Sequence, residues 1–260
     1  MNWDRYLSRI GLSRQDVTTD AKGLKLLQRE HLSHIPFENL DIHWQRPIVL
    51  DTEKFYSKIV AEKRGGFCYE LNGLFYELLR EIGFRTRLVS ARPFSDANGF
   101  GQQFDHAAII VSLGEKEYLV DVGFGDFAAG PLEIADGTEQ VAREGTFRIN
   151  SVENGSFVVE KKDGIEWRPE YMFGTQRREL TEFTEMCDFQ QYSPDSHFKK
   201  GKICSLMTTD GRKTLTDKKF IVTSKGVITE NAVESDAEFD EILRLEFGIS
   251  WDNSKNYYGK

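Results

Sequence analysis

Leu71, Leu74, Phe75, Leu78, Leu79 and Ile82 recur at the spacing of one face of an α-helix. Gly83 stands where a left-handed residue would close that helix. Upstream, Thr19 or Asp20 caps a helix carrying Ala21, Leu24 and Leu27 on one side, and Pro36 ends it by disfavouring helical geometry at Ile35. Another helix starts near Asp51 and presents Phe55, Ile59 and Val60. The first part of the chain, roughly 90 residues, therefore reads as helical. From Phe84 the pattern changes to short runs of strand formers at 86–92, 107–113 and 118–122, the last two joined by Gly114-Glu115-Lys116. Runs at 147–152, 157–161 and 165–169 follow, separated by the hairpin signals Asn154-Gly155 and Asp163-Gly164. Successive short strands with tight turns point to an antiparallel barrel or sandwich. In the last third, strand runs flank Asp210-Gly211 and Lys225-Gly226, and Ser235 to Glu238 form a capping box. It starts a helix with Phe239, Ile242 and Leu243 inward. No repeat or low-complexity linker interrupts these segments, so they are expected to pack as one body.

Composition narrows the function. The chain of 260 residues is 39% hydrophobic and 29% charged, ordinary for a soluble globular protein. A net charge of −8 argues against nucleic acid as a partner. The cysteines, Cys68, Cys187 and Cys204, have no paired spacing, which favours a reducing compartment over a disulfide framework. No C-x-x-C or His-x-x-x-His supplies a metal site. No run approaches the ~20 apolar residues of a membrane span, and the N-terminus lacks the apolar core of a signal peptide. A cytoplasmic protein without membrane or metal is expected.

The candidate chemistry centres on Arg64-Gly65-Gly66-Phe67-Cys68-Tyr69-Glu70-Leu71-Asn72. It places a thiol in the first turn of the clearest helix, where the positive end of the backbone dipole favours thiolate. A lone cysteine there is either a buried structural thiol or a nucleophile. His106 opens the apolar run 107–111, and Asp121 lies within the apolar run 118–122. Each reads separately as a satisfied core residue. If those runs form a hairpin, the two meet near its open end, Asp121 orienting an imidazole that serves Cys68. Gly123-Phe124-Gly125 follows, either a turn or a backbone surface against a ligand with Phe124 as a wall. Arg64 and Glu38 either pair to fix the Cys68 turn or stand as solvated charges.

These residues resemble the arylamine N-acetyltransferase family. The resemblance rests on Arg-Gly-Gly-x-Cys-x-Glu-x-Asn at 64–72, His106, Val-Asp-x-Gly-Phe-Gly at 120–125, His34-Ile35-Pro36-Phe37-Glu38-Asn39-Leu40, and Ser193-Pro194-x-Ser196-x-Phe198. It implies an α+β fold with a cysteine-protease-like triad core. The expected parts are a helical bundle at 1–85 carrying the cysteine, an antiparallel β-barrel at 86–195 carrying His and Asp, and an α/β lid at 196–260. It implies acetyl-CoA as co-substrate, without metal, and a small aromatic amine, hydrazine or hydroxylamine as acceptor, in a ping-pong reaction of xenobiotic metabolism. Carried over, Cys68 is the nucleophile, His106 the acid/base and Asp121 its orienter. Phe37, Tyr69 and Phe124 are expected at the acceptor. Gly123 and Gly125 are expected at the coenzyme, with Gln102, Gln103 and Ser196 placed there by position alone. Lys199, Lys200 and Lys202 either meet its phosphates or line a solvated loop. The rival reading keeps the Cys-His-Asp set and makes the protein a thiol hydrolase or amidase.

Overall fold

The computed structural model describes residues 1–250; the end of the expected third segment, 251–260, lies outside the described residues. α1 (Trp3–Arg9) is capped by the Asn2 side chain, and α2 (Ala21–His34) by Asp20, which accepts from the Gly23 N–H at 2.8 Å. β1 (Phe37–Glu38), α3 (Leu40–His43) and α4 (Thr52–Tyr56) follow, and α4 passes into a π-helical turn over Ser57–Ala61. α5 (Cys68–Ile82) is the helix its leucine spacing predicts, closed by Gly83 at φ 108°. Its first half is buried on all sides rather than along one face, because everything from Cys68 to Tyr76 is covered. α5 is thus a central pillar.

A buried ion cluster fixes the start of α5. Arg64 donates to Glu38 at 2.6 Å and to Asp41 at 2.9 Å. Lys58 reaches Asp41 at 2.8 Å and Glu70 at 2.7 Å. The same Glu70 oxygen accepts the Phe67 N–H at 2.8 Å. All five side chains are buried, so Arg64 and Glu38 are a structural pair and not solvated charges. Proximity to Lys58 and Arg64 overcomes the burial penalty at Asp41 and lowers its pKa to about 2. Three buried carboxylates and two buried cations persist only if each is paired. The cluster ties β1, α3 and the π-helical turn to the residue just before the thiol.

His31 is the other buried titratable group of the helices. Its Nδ1 shares a 2.8 Å hydrogen bond with the Tyr6 hydroxyl, and its Nε2 has no partner among the described residues. Burial, aided by Arg9 and His34, lowers its pKa from 6.5 to about 3. The unfolded chain therefore takes up a proton near pH 6.5 that the fold refuses. The expected result is full stability above that pH, lost at about 1.4 kcal/mol per unit as pH falls toward 3. Urea unfolding of wild type and His31→Gln between pH 7 and pH 4.5 checks it: the variant loses less stability per pH unit than wild type.

The central sheet comprises β2 (Arg85–Ser95), β3 (Gly99–Phe100), β4 (His106–Leu113), β5 (Lys116–Val120), β6 (Leu132–Glu133), β7 (Gln140–Ala142), β8 (Gly145–Val152), β9 (Ser156–Asp163) and β10 (Glu166–Gly174). Its order is β6-β5-β4-β2-β10-β9-β8-β7, with β3 on β2. The two ends approach one another, since the Glu133 N–H donates to Gln140 at 2.7 Å and Asp136 bridges Ile149. The result is a nearly closed antiparallel barrel around Val89, Ile110, Phe147 and Tyr171. β10 runs past Pro169, where the pattern expects it to stop. An irregularity in register between Pro169 and Tyr171 absorbs the missing donor and lets the ladder resume.

α6 (Thr184–Tyr192) then leads to β11 (Ile203–Thr208), β12 (Gly211–Thr216), β13 (Lys219–Ser224), β14 (Val227–Ala232) and α7 (Asp236–Phe247). α7 covers one face of this second sheet through Phe239, Leu243 and Phe247. Ser235 caps α7 as its sequence predicts, but the returning Glu238 carboxylate takes the Glu234 N–H instead. β1 forms the edge of the same sheet, Phe37 opposite Ser205. Cross-strand partners share a face, so Phe37, Ser205, Met207, Arg212 and Thr214 lie on the side away from α7.

Candidate active site

The site lies where α5, the barrel hairpin and the second sheet meet. α5 delivers Cys68 in its first turn. β4 begins with His106, β5 ends one residue before Asp121, and Ile109 pairs with Val120, so the two side chains share one end of the hairpin. His106 Nε2 lies 2.7 Å from Asp121 Oδ2, and both groups are buried.

Asp121 is held by four donors. Oδ2 accepts from His106 and from the Tyr171 hydroxyl at 3.0 Å. Oδ1 accepts from Asn72 Nδ2 and from the Gly123 N–H, each at 2.9 Å. With every lone pair engaged, a buried carboxylate is tolerated and its orientation fixed. Asn72 also donates to the Ala107 carbonyl at 2.6 Å and accepts the Val122 N–H at 3.0 Å. It clamps α5 to both strands. Its signal was an amide on the apolar face of α5, four residues after Cys68. Tyr171, fifty residues from Asp121, gave no local signal.

Gly123 sets the approach of hairpin and helix. A Cβ there would stand 2.9 Å from Cys68 Cα and 2.8 Å from Asn72 Nδ2. Gly123→Ala is therefore expected to push Cys68 and the start of α5 away from the hairpin that carries His106. A loss of about 100-fold in kcat/KM is expected, measured beside a melting curve that shows the fold retained.

Cys68 is 4% exposed. Burial pushes its thiol well above the usual range, with Cys187, Asp105 and Asp121 adding to it; the hydrogen bond from the Tyr69 N–H pulls the other way. The expected ionisation by the helix terminus alone is thus overridden by burial. Phe124 and Tyr171 wall the His106 ring at 5.2 and 5.5 Å between centroids.

A buried thiol at the start of α5 and a carboxylate-oriented imidazole on the hairpin that packs against it suit acyl transfer through a thioester, and equally thiol-dependent hydrolysis. Comparison with known proteins favours the first. A family model described as N-acetyltransferase matches residues 20–256. A pineal gland isozyme of arylamine N-acetyltransferase from Gallus gallus is 32% identical, over 99% of this chain and 99% of its own. The chain belongs to the arylamine N-acetyltransferase family. It is an acyltransferase. An N-arylamine acetyltransferase from Mycobacterium smegmatis superposes with a TM-score of 0.90 at 29% identity, over 99% of this chain and 96% of the other. The arylamine N-acetyltransferase of Mycobacterium marinum, solved in complex with CoA, gives 0.86 at 29%, over 95% and 93%. The fold is the α+β, cysteine-protease-like one of this family.

In this N-acetyltransferase the expected ligand contacts separate. Phe37, Gly123, Phe124 and Gly125 line one narrow cleft, together with Ser205, Met207 and Arg212 of the second sheet. Gln102 and Gln103 line another with Asp105, Phe189 and Gln190. Ser196 lines neither: its buried hydroxyl donates to Gln190 at 2.6 Å and accepts the Phe198 N–H at 3.2 Å, a structural cap. Tyr69 is 0% exposed and lines neither cleft. One residue beyond Cys68, it points about 100° away around α5. Its hydroxyl holds the carbonyls of Phe104 and Asp105, which steadies the turn before His106.

Proposed function

We propose that this chain moves an acetyl group from acetyl-CoA to aromatic amines, hydrazines or hydroxylamines in a ping-pong cycle through an acetyl-Cys68 thioester. The observation that carries the reading is the His106–Asp121 pair at 2.7 Å on the hairpin whose Gly123 packs against the helix-borne Cys68, in a chain of this family. The CoA-bound relative supports the donor. In this reading the helical segment to residue 85 supplies the thiol, the barrel to 195 supplies the imidazole and carboxylate, and the remainder closes over them. The three unpaired, buried cysteines suit a cytoplasmic setting.

Asp121 accepts from His106 Nε2–H, which leaves Nδ1 as the base. Nδ1 takes the Cys68 proton, and Asp121 stabilises the imidazolium so formed. The thiolate attacks the acetyl carbonyl, a C–S bond forms, and the tetrahedral species expels CoA, which takes the proton back from Nδ1. The cycle then runs in reverse with a new nucleophile. The amine attacks the thioester, Nδ1 receives its proton, and Cys68 leaves. An aromatic amine is mostly unprotonated at neutral pH, so its lone pair is already free. Exchange of one thioester for another is nearly balanced, which suits an acyl carrier. Since Cys68 is almost covered, the cleft at Phe37, Gly123 and Phe124 must widen for each substrate.

Incubation of the protein with acetyl-CoA alone is the test. The expected product is one acetyl group on the Cys68 peptide, stable until an aromatic amine is added. Steady release of acetate without amine would sink the transfer reading.

A further inference from the structure

Arg212 is the cation of the cleft lined by Phe37, Gly123 and Phe124, and its partners do not account for it. It faces that cleft from β12, opposite Met207 of β11. Gly123, on the other wall, abuts Cys68. Among the described residues, the guanidinium of Arg212 makes one hydrogen bond, from Nη1 to the Ser205 hydroxyl at 3.1 Å. Among those residues it has no carboxylate within ion-pair distance. The three carboxylates that share the adjoining hollow with it face other cations, Asp210 lying 4.0 Å from Lys225. Asp126 holds Lys161 at 2.8 Å, and Glu144 holds Arg143 at 2.9 Å. An arginine fork offers five donors in one plane. One neutral hydroxyl uses one of them. Drawing a half-buried guanidinium into a cleft without an ion partner is costly, and a bound anion removes that cost.

From this geometry we infer that Arg212 is a specificity-determining residue that receives an anionic oxygen group of a substrate in the cleft at Phe37, Gly123 and Phe124. The inference rests on the proposed transfer reaction and names what its substrate carries. Two sources share that chemistry, a carboxylate on the aromatic acceptor and a phosphate of the coenzyme. Ser205, bonded to both Arg212 and Thr214, keeps the fork in place from below. Phe37 and Phe124 supply apolar walls of the same cleft. An aromatic ring between such walls with a carboxylate on the fork matches the lining in both its apolar and its cationic part.

The test compares wild type, Arg212→Gln and Arg212→Lys, with melting curves to show that each folds. Acceptors are 4-aminobenzoate and its neutral amide, 4-aminobenzamide; donors are acetyl-CoA and S-acetylpantetheine, which lacks the phosphates. An acceptor carboxylate on Arg212 predicts that kcat/KM for the acid falls about ten- to hundredfold more than for the amide in Arg212→Gln, with partial recovery in Arg212→Lys. A coenzyme phosphate predicts the same selective loss for acetyl-CoA against S-acetylpantetheine. Equal losses for all four compounds, or none, overturn the inference. Calorimetric binding of 4-aminobenzoate, 4-aminobenzamide and CoA to the unacylated protein reads the same contrast without turnover. If wild type took up no acetyl group, the transfer reading would fail, while this binding contrast would still decide the role of Arg212.

Discussion

Cys68→Ala is expected to lower acetyl transfer by about 10⁴-fold or more and to abolish the acetyl mass gain from acetyl-CoA. The size follows from what the thiol does. It is the atom that carries the acyl group, so its loss removes a covalent route and not a contact. The change in volume is small, and Asp121, Asn72 and His106 keep their mutual bonds, so the fold is retained. The controls are the other two cysteines. Burial raises Cys187 to about 12, with Glu70 and Asp188 adding to it, and raises Cys204 as well. Neither has an imidazole partner in the described structure. Cys187→Ser and Cys204→Ser should keep turnover within the same order of magnitude and still acquire the acetyl group. Intact-mass and peptide-mass measurements on the three variants check the pattern. Label on Cys187 or Cys204 in the wild type, or persistence of the label in Cys68→Ala, would refute the assignment.

The elements that position this thiol were legible to different degrees. α5 announced itself through six apolar positions and a closing glycine, because a long amphipathic stretch is a local signal. The hairpin that joins His106 to Asp121 was equally readable, since its strands are adjacent in sequence and its turn is short. β1 was not. Two residues have no periodicity, and its pairing with Ser205 and Cys204 is a contact across more than 160 positions. α6 was missed because its exposed face breaks the pattern with Phe189 and Tyr192. The burial of Tyr69 and Ser196, both expected at ligands, was not readable. Adjacency to the thiol suggested Tyr69 for the acceptor, yet one step along a helix turns a side chain toward a different neighbour. Ser196 was placed by position, and its hydroxyl proves to be consumed in capping a short turn. Asn72 stood in the quoted motif without a role, which only the meeting of α5 with two strands could reveal.

Asp121→Asn is expected to cost about 10³- to 10⁴-fold in kcat/KM with the fold intact, and the geometry says why. The amide can sit in only one orientation. At Oδ1 the donors are Asn72 Nδ2 and the Gly123 N–H, neither able to accept, so the amide oxygen must stay there. The amide nitrogen then faces His106 and Tyr171. The Tyr171 hydroxyl adapts by rotating to accept. His106 adapts only by changing tautomer, since Nε2 must now accept and its proton moves to Nδ1. That is the nitrogen from which the proposed mechanism requires a base. The thiol then has no acceptor for its proton, and its surroundings, buried and beside Asp105 and Cys187, hold it protonated. Replacing Asp121 removes one negative neighbour of Cys68, a smaller change of the opposite sign that does not restore a base. The measurement is the rate of iodoacetamide alkylation of Cys68 against pH. Wild type should react at neutral pH through the thiolate–imidazolium pair, whereas Asp121→Asn should react only under alkaline conditions, above the ~8.5 of an ordinary thiol. If both proteins alkylated along the same curve while the variant lost activity, Asp121 would act on the fold or on substrate binding instead of through the imidazole.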